Sequence, residues 1–219
     1  MNELYFVSGL GADQRVFRSL KFQGYEPKHI HWIKPESGES IEQYAKRLTA
    51  QIQGKKPIIV GLSFGGMMAI EIAKHIPTEK VILISSAETK YDIPPYYRFF
   101  KWVPLHRILP LQFLTLAGFE VACWYFGVTS LQERQLLKSI LLDTDTDFFR
   151  WAVDQALTWD NKTQPDVFHV HGTSDRVLPI RFTEPDVRID RGGHFMVLNR
   201  AEELIPILEK VIYYEQMTS

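Results

Sequence analysis

A serine lies at the junction between two apolar segments of the chain. Residues 57–62 read Pro-Ile-Ile-Val-Gly-Leu and favour a buried strand, and residues 66–73 read Gly-Met-Met-Ala-Ile-Glu-Ile-Ala and favour a helix. Ser63 lies between them, flanked by Gly61 and Gly65. Such a Gly-x-Ser-x-Gly turn is so sharp that only glycine fits at its flanks, and it exposes the serine hydroxyl. The pattern predicts a nucleophilic serine, and the alternative is a serine that caps a helix between close-packed glycines.

Two later segments contain the partners that such a serine needs. A serine hydroxyl is a poor nucleophile at neutral pH, so it requires a base and an acid that orients the base. Asp175 lies in the loop after the apolar strand that ends near His171, and His194 lies in the glycine-rich loop Arg-Gly-Gly-His-Phe before the last helix. We predict Asp175 as the acid and His194 as the base. Glu88, which follows an earlier strand, is a rival for the acid.

The whole chain alternates between short apolar segments and segments of helical period. This pattern predicts an α/β fold in which helices cover both faces of a mostly parallel sheet. The sequence predicts strands at Glu3 to Ser8, His29 to Ile33, Lys56 to Leu62, Lys80 to Ser85, Asp166 to His171 and Val187 to Ile189. The clearest helices are one that begins at the capping box Ser40-Ile-Glu-Gln43, one from Phe64 to Ile76 and one from Ala201 to Tyr213.

Four motifs together carry a resemblance to a known family. The stretches SGLGAD, GLSFGG, HGTSDRVLP and GGHF each resemble the version found in α/β-hydrolases, and they occur in the expected order over nearly the whole chain. The resemblance implies the α/β-hydrolase fold with about six strands and a helical lid. Residues 1–90 and 165–219 would form the core, and residues 91–164 the lid insertion, in one structural unit. By the same resemblance Ser63 is the nucleophile, Asp175 the acid and His194 the base.

Acyl transfer also requires donors for the negative oxygen that develops on the substrate. These are usually two backbone N–H groups, one from the residue after the nucleophile and one from the loop after an earlier strand. Phe64 follows the serine, and the family pattern points to Leu10 for the second donor. Many members of the family have histidine where this chain has Ser8, so we expect different hydrogen bonds to support this loop.

The segment from residue 91 to residue 164 is unusually aromatic. It holds 15 of the 28 aromatic residues of the chain. These rings either fill the core of a small helical subdomain or line an apolar substrate pocket. For the pocket we predict contributions from Trp102, Phe113, Trp124 and Phe126, and hence a preference for acyl groups of modest size and apolar character.

Composition limits the partners and the location that we expect. The formal net charge is −1, and the 25 basic and 26 acidic residues are spread along the chain, which argues against nucleic acid or an anionic membrane as a partner. The single cysteine, Cys123, excludes an internal disulfide, and the first residues do not resemble a signal peptide. We therefore expect a cytoplasmic protein whose partner is a small-molecule substrate, with the oligomeric state left open.

Neither a metal nor a cofactor is predicted. His29 with His31, and His169 with His171, could each begin a metal site, but no cluster of cysteine or carboxylate completes either pair in the sequence. The resulting hypothesis is cofactor-free hydrolysis of an ester or thioester through an acyl-enzyme. Two alternatives stay open: a lyase that cleaves cyanohydrins with the same three residues, and a ligand-binding module with an idle site.

Overall fold

Six parallel strands form the centre of the fold. The structure is a computed structural model that describes residues 3–98, 118–163 and 166–218. The strands lie in the order β2-β1-β3-β4-β5-β6, and every neighbouring pair is parallel. Their bounds are Leu4–Val7 (β1), Lys28–Ile30 (β2), Ile58–Leu62 (β3), Lys80–Ile84 (β4), Phe168–Gly172 (β5) and Val187–Ile189 (β6). The predicted sheet of about six strands is confirmed.

The two faces of the sheet are both apolar and both covered. Successive side chains of a strand point to opposite faces. Leu4 and Phe6 of β1 accordingly belong to one hydrophobic cluster, whereas Tyr5 and Val7 belong to the other. All four are buried, which explains why this strand reads as a continuous apolar run rather than as an alternating one.

Helices cover both faces, as predicted. The helices of the described ranges are Ile41–Leu48 (α1), Phe64–Ala73 (α2), Phe119–Phe126 (α3), Leu131–Asp143 (α4), Thr146–Thr158 (α5), Met196–Asn199 (α6) and Ala201–Thr218 (α7). Helices α1 and α2 pack on the face of Tyr5 and Val7, and α7 packs on the face of Leu4 and Phe6. None of the helices described is long and apolar enough to cross a membrane.

The helices between β4 and β5 pack into the same two clusters as the sheet. In α4, Leu136, Leu137 and Ile140 join the cluster of Leu4 and Phe6, and in α5 Phe148 and Ala152 join the other. Side-chain caps fix where these helices begin, since Ser130 accepts from the N–H of Glu133 and Asp145 from the N–H of Phe148. The described helices between β4 and β5 therefore pack against the same hydrophobic core as the sheet.

Candidate active site

Ser63 occupies a strained turn between β3 and α2. Its backbone has φ 54° and ψ −122°, which a residue with a side chain rarely adopts and which costs about 1–3 kcal/mol. The flanking glycines make the turn possible. A Cβ on Gly65 would lie 2.3 Å from the carbonyl oxygens of Val7 and Ser8, and one on Gly61 would lie 2.4 Å from the carbonyl oxygen of Gly65. The turn that the sequence pattern predicts is therefore present.

Neighbouring groups hold the backbone of Ser63 on both sides. Its N–H donates to the carbonyl oxygen of Ile84 at 2.9 Å, and its own carbonyl oxygen accepts from the Ser86 hydroxyl at 2.7 Å. Ser86 follows β4, and sequence reasoning did not single it out. These bonds anchor the turn to the neighbouring strand, which helps the fold to sustain the unfavourable dihedral angles.

The structure brings Asp175, His194 and Ser63 together in one hydrogen-bonded series. Asp175 lies in the loop after β5 and His194 in the loop after β6, and the carboxyl ends of these strands share one edge of the sheet. His194 Nδ1 is 2.8 Å from Asp175 Oδ2, and His194 Nε2 is 2.8 Å from Ser63 Oγ. Because a carboxylate only accepts, we place the ring proton on Nδ1, and Nε2 then has a lone pair facing the serine hydroxyl.

The carboxyl group of Asp175 is buried and well supplied with donors. Its Oδ1 accepts from the N–H groups of Val177 and Leu178 at 2.8 and 2.9 Å. Burial acts to raise the pKa of Asp175, but attraction to His194 and the hydrogen bonds of His194 and Leu178 outweigh it and lower this pKa below its ordinary value. Asp175 is therefore ionised at neutral pH and can stabilise a positive charge on the imidazole.

The loops that carry the acid and the base lie directly against each other. A Cβ on Gly172 would lie 2.2 Å from the carbonyl oxygen of Gly192, which leaves no room for any other residue. The N–H of Ser174 donates to the same carbonyl oxygen at 2.9 Å. Gly172 and Gly192 therefore allow this close approach, which sets the spacing between Asp175 and the imidazole.

The loop after β1 approaches the serine. A Cβ on Gly9 would lie 3.5 Å from Ser63 Cβ, so the loop containing Leu10 is next to the hydroxyl. The predicted donors are the N–H groups of Leu10 and Phe64. Within the part of the chain that the structure describes, neither N–H donates to a backbone carbonyl.

Three side chains support this loop. The hydroxyl of Ser8 and the indole N–H of Trp32 both donate to the carbonyl oxygen of Ala12, at 2.7 and 3.1 Å. The hydroxyl of Thr144, at the end of α4, lies 2.7 Å from the carbonyl oxygen of Gly11. Ser8 thus has a supporting role where many relatives have histidine. Thr144 was missed in the sequence, because no local pattern links it to a loop 133 residues earlier.

The four aromatic residues predicted for the pocket have different positions. The Phe126 ring centroid is 5.7 Å from that of His194, and the carbonyl oxygen of Phe126 accepts from the N–H of Phe195 at 3.1 Å. Trp124 is 58% exposed, with the guanidinium of Arg176 at 4.5 Å from its ring centroid. Trp102 and Phe113 lie outside the described residues. Of the two that the structure describes, Phe126 therefore lies beside the base and Trp124 is exposed.

Glu88, the alternative candidate for the acid, forms a second polar cluster with His169 and His171. The carboxylate of Glu88 lies 2.9 Å from Nδ1 of His169, while the Nδ1 of His194 is held by Asp175. His169 in turn bonds His171 at 3.0 Å. The His-x-His alternation on β5 was the only sequence signal for this cluster, since it places both rings on one face of the strand.

Comparison with known proteins agrees with this architecture. A family model described as the alpha/beta hydrolase family matches residues 5–207. A search of curated proteins by sequence gave no match. Similar solved structures include a proposed aryl esterase from Burkholderia cenocepacia, with TM-score 0.76 and 15% identity, covering 99% of this chain and 91% of that one.

Two further solved structures are similar to a comparable extent. One is a hydrolase from Oleispira antarctica, with TM-score 0.74 and 14% identity, covering 99% of this chain and 91% of the other. The second is a thermophilic esterase from Thermogutta terrifontis, with TM-score 0.68 and 13% identity, covering 98% and 90% of the two chains. At these identities the likeness shows the shared fold.

Proposed function

This chain belongs to the alpha/beta hydrolase family, and we propose that it is a cofactor-free serine hydrolase that cleaves an ester or thioester of a small, partly apolar acyl group. One observation carries the proposal. Ser63 Oγ, the His194 ring and the Asp175 carboxylate form an unbroken hydrogen-bonded series with two contacts of 2.8 Å, at a turn whose strain exposes the serine. A serine that only capped a helix would need no such partners.

Acylation follows from the positions of these groups. Ser63 Oγ attacks the carbonyl carbon while His194 Nε2 takes the hydroxyl proton. Asp175 stabilises the imidazolium and holds the ring by its Nδ1–H. The oxygen that becomes negative accepts from the N–H groups of Leu10 and Phe64. When the bond to the leaving group breaks, His194 returns the proton to the departing oxygen or sulfur, and the acyl group remains on Ser63.

Deacylation reverses the roles of the same residues. Water enters next to His194, which removes a proton as the oxygen attacks the acyl carbon. The second tetrahedral intermediate uses the same two N–H donors. Its collapse releases the acid and returns the proton to Ser63 Oγ, so that the enzyme recovers its starting state without a cofactor.

Phe126 supports a substrate with some apolar character. Its ring lies beside the imidazole of His194, at the end of α3 in the insertion. A substituent on the reacting carbonyl that reached this ring would lose contact with water, which favours apolar groups. We expect short to medium apolar acyl esters to react faster than short polar ones, and equal rates for both would count against this preference.

Covalent labelling tests the proposed nucleophile. A fluorophosphonate probe reacts with an activated serine, and intact-mass measurement counts the probes bound. The wild type should take up one probe, mapped by peptide analysis to Ser63. Ser63→Ala should take up none, and His194→Ala should react at least a hundredfold more slowly because its serine lacks a base. Ser174→Ala, a change of an exposed serine in the acid loop, is the matched control and should label like wild type.

The outcomes separate the candidate functions. Labelling on Ser63 that depends on His194 supports an activated nucleophile and justifies a screen of esters and thioesters of increasing chain length. A folded wild-type protein that takes up no probe would refute the serine hydrolase and turn attention to the ligand-binding alternative.

A further inference from the structure

Behind Asp175, three buried side chains continue the hydrogen-bonded series away from the serine. His171 Nε2 lies 2.7 Å from the carbonyl oxygen of Leu178 and 3.4 Å from Asp175 Oδ2. His171 Nδ1 is 3.0 Å from His169 Nε2, and His169 Nδ1 is 2.9 Å from Glu88 Oε1. Both histidine side chains are fully buried, and that of Glu88 is 8% exposed. We call Glu88, His169 and His171 the inner array.

The carbonyl group of Leu178 determines where the protons of the inner array lie. A carbonyl oxygen only accepts, so His171 must carry a proton on Nε2. Burial lowers the pKa of His171 to about 4, so its ring is neutral at pH 7 and its Nδ1 has a lone pair. The nitrogen that faces this lone pair, His169 Nε2, must therefore carry a proton of its own.

The hydrogen bond between His169 and Glu88 requires one further proton. If His169 carried only its Nε2 proton and Glu88 were ionised, two acceptors would face each other at 2.9 Å and repel. Either an imidazolium meets a carboxylate or a neutral imidazole accepts from a carboxylic acid. Both arrangements contain the same number of protons. The inner array therefore holds one shared proton at its far end.

The inner array meets the proposed active site at the loop that carries the acid. Leu178 donates its N–H to Asp175 Oδ1 at 2.9 Å and accepts from His171 through its carbonyl oxygen. The N–H of Leu178 is thus held by Asp175, and its carbonyl oxygen is held by His171. A displacement of His171 would move Leu178 and, with it, the carboxylate that orients His194.

We propose that Glu88 and His169 are positioning residues for Asp175. The proton they share fixes the direction of every hydrogen bond up to His171, and it thereby holds the Nε2–H of His171 against Leu178 and Asp175. Without that proton, His169 would have to turn its donor towards Glu88. The lone pair on its Nε2 would then face the lone pair on His171 Nδ1, and the hydrogen bond between the two rings would be lost. This inference rests on the proposed function, because Asp175 matters to it as the acid of the site.

Two further carboxylates accept backbone N–H groups at the inner array. The carboxylate of Asp92 accepts from the N–H groups of Glu88 and Thr89 at 2.8 and 2.7 Å, and that of Asp186 accepts from the N–H of His169 at 2.7 Å. A metal ion is a poor alternative occupant, since the ring nitrogens bond one another and do not converge on one point.

Substitutions of Glu88 separate a requirement for a hydrogen-bond donor from a requirement for a carboxylate. Glu88→Gln presents an amide N–H to His169 Nδ1 and needs no shared proton, so we expect kcat for p-nitrophenyl butyrate within threefold of wild type. Glu88→Leu removes the partner of His169 Nδ1, so the His169 ring keeps only its hydrogen bond to His171 and can shift. We expect kcat to fall about tenfold or more with KM changed less than threefold, because misplacement of a reacting group by about 1 Å can cost a hundredfold.

Two controls accompany these variants. Glu184→Leu introduces the same change at an exposed site and should behave as wild type. Urea unfolding identifies conditions in which every variant is folded, so that the kinetic comparison is made on folded protein. Equal impairment of Glu88→Gln and Glu88→Leu, or wild-type kcat in Glu88→Leu, would overturn the proposal.

A spectroscopic measurement tests the proton positions directly in the wild type and needs no variant. Histidine side-chain nitrogen-15 spectra at pH 7 should show His171 protonated on Nε2 alone and His169 protonated on Nε2. A His171 ring protonated on Nδ1 would overturn the proposal. These spectra do not depend on turnover. If they show the expected proton positions but the probe does not label Ser63, the proposed function is wrong and the inner array stands.

Discussion

The most distinctive consequence of the buried histidine pair concerns stability in acid. His171 has a pKa of about 4 in the folded protein, because burial penalises its charged form, against 6.5 for an exposed histidine. The unfolded chain therefore binds a proton more readily than the folded protein between these two values. The free energy of unfolding must then fall as the pH decreases from above 6.5 towards 4.

The size of the effect follows from the two pKa values. A difference of about 2.5 units corresponds to about 3.4 kcal/mol once the pH is well below 4, and about 2 kcal/mol of this is lost between pH 8 and pH 5. Folded domains are stable by only about 5–15 kcal/mol, so this one residue should lower the urea midpoint visibly.

Urea unfolding followed by circular dichroism at pH 8, 7, 6 and 5 provides the assay. The variant His171→Gln cannot titrate, yet its amide can still donate to the carbonyl oxygen of Leu178. Between pH 8 and pH 5 the wild type should lose about 2 kcal/mol more than this variant. His75→Gln, a change of an exposed histidine, is the matched control and should follow the wild type. Equal pH dependence of the wild type and His171→Gln would contradict the lowered pKa of His171.

Three further predictions concern the turn, the oxyanion loop and the core. Gly65→Ala should abolish labelling of Ser63 and destabilise the fold by about 1–3 kcal/mol, because the added Cβ would lie 2.3 Å from two backbone carbonyl oxygens. Gly9→Ala should destabilise the fold less, because its nearest neighbour would be 3.5 Å away. Thr144→Val removes the hydroxyl at Gly11 and should lower kcat/KM about threefold to tenfold without a comparable change in KM, whereas Thr158→Val should leave both unchanged in the same ester assay. Tyr44→Phe should reduce the free energy of unfolding by about 1–3 kcal/mol, because the buried hydroxyl both donates to and accepts from the backbone of Ile33. Tyr91→Phe, a change of an exposed tyrosine, should alter this free energy little. Equal effects of the two changes in urea unfolding would contradict the role of the Tyr44 hydroxyl.

Much of the fold could be predicted because its signals are local. Each predicted strand lies within a few residues of an observed one. The signal is clearest for β1, β3 and β4, which are buried on both faces and read as short apolar runs. The helix after Ser63 was expected to reach Ile76 but ends at Ala73. The last helix was expected to end at Tyr213 but continues to Thr218 and includes Pro206. Helix ends depend on packing that a periodic pattern does not contain.

The positions of the site residues could be anticipated because motif and chain order constrain them. Ser63, Asp175 and His194 each follow a strand of one parallel sheet, and parallel strands bring such loops to the same edge. The supporting contacts could not be anticipated in this way. Glu88 and His169 are 81 residues apart and meet because β4 pairs with β5, and Thr144 reaches Gly11 from the insertion. Contacts of this kind depend on register and docking between distant segments.

The most direct test of the proposed mechanism is to capture the acyl-enzyme. Wild-type protein mixed with p-nitrophenyl butyrate should be quenched in acid within the first turnovers and measured by intact mass, with the modified peptide then sequenced. The proposed mechanism predicts a butyryl adduct on Ser63, which appears as p-nitrophenol is released, decays as substrate is exhausted and is absent in Ser63→Ala. Turnover of the ester at the wild-type rate by Ser63→Ala, or turnover by the wild type with the adduct on another residue, would contradict it.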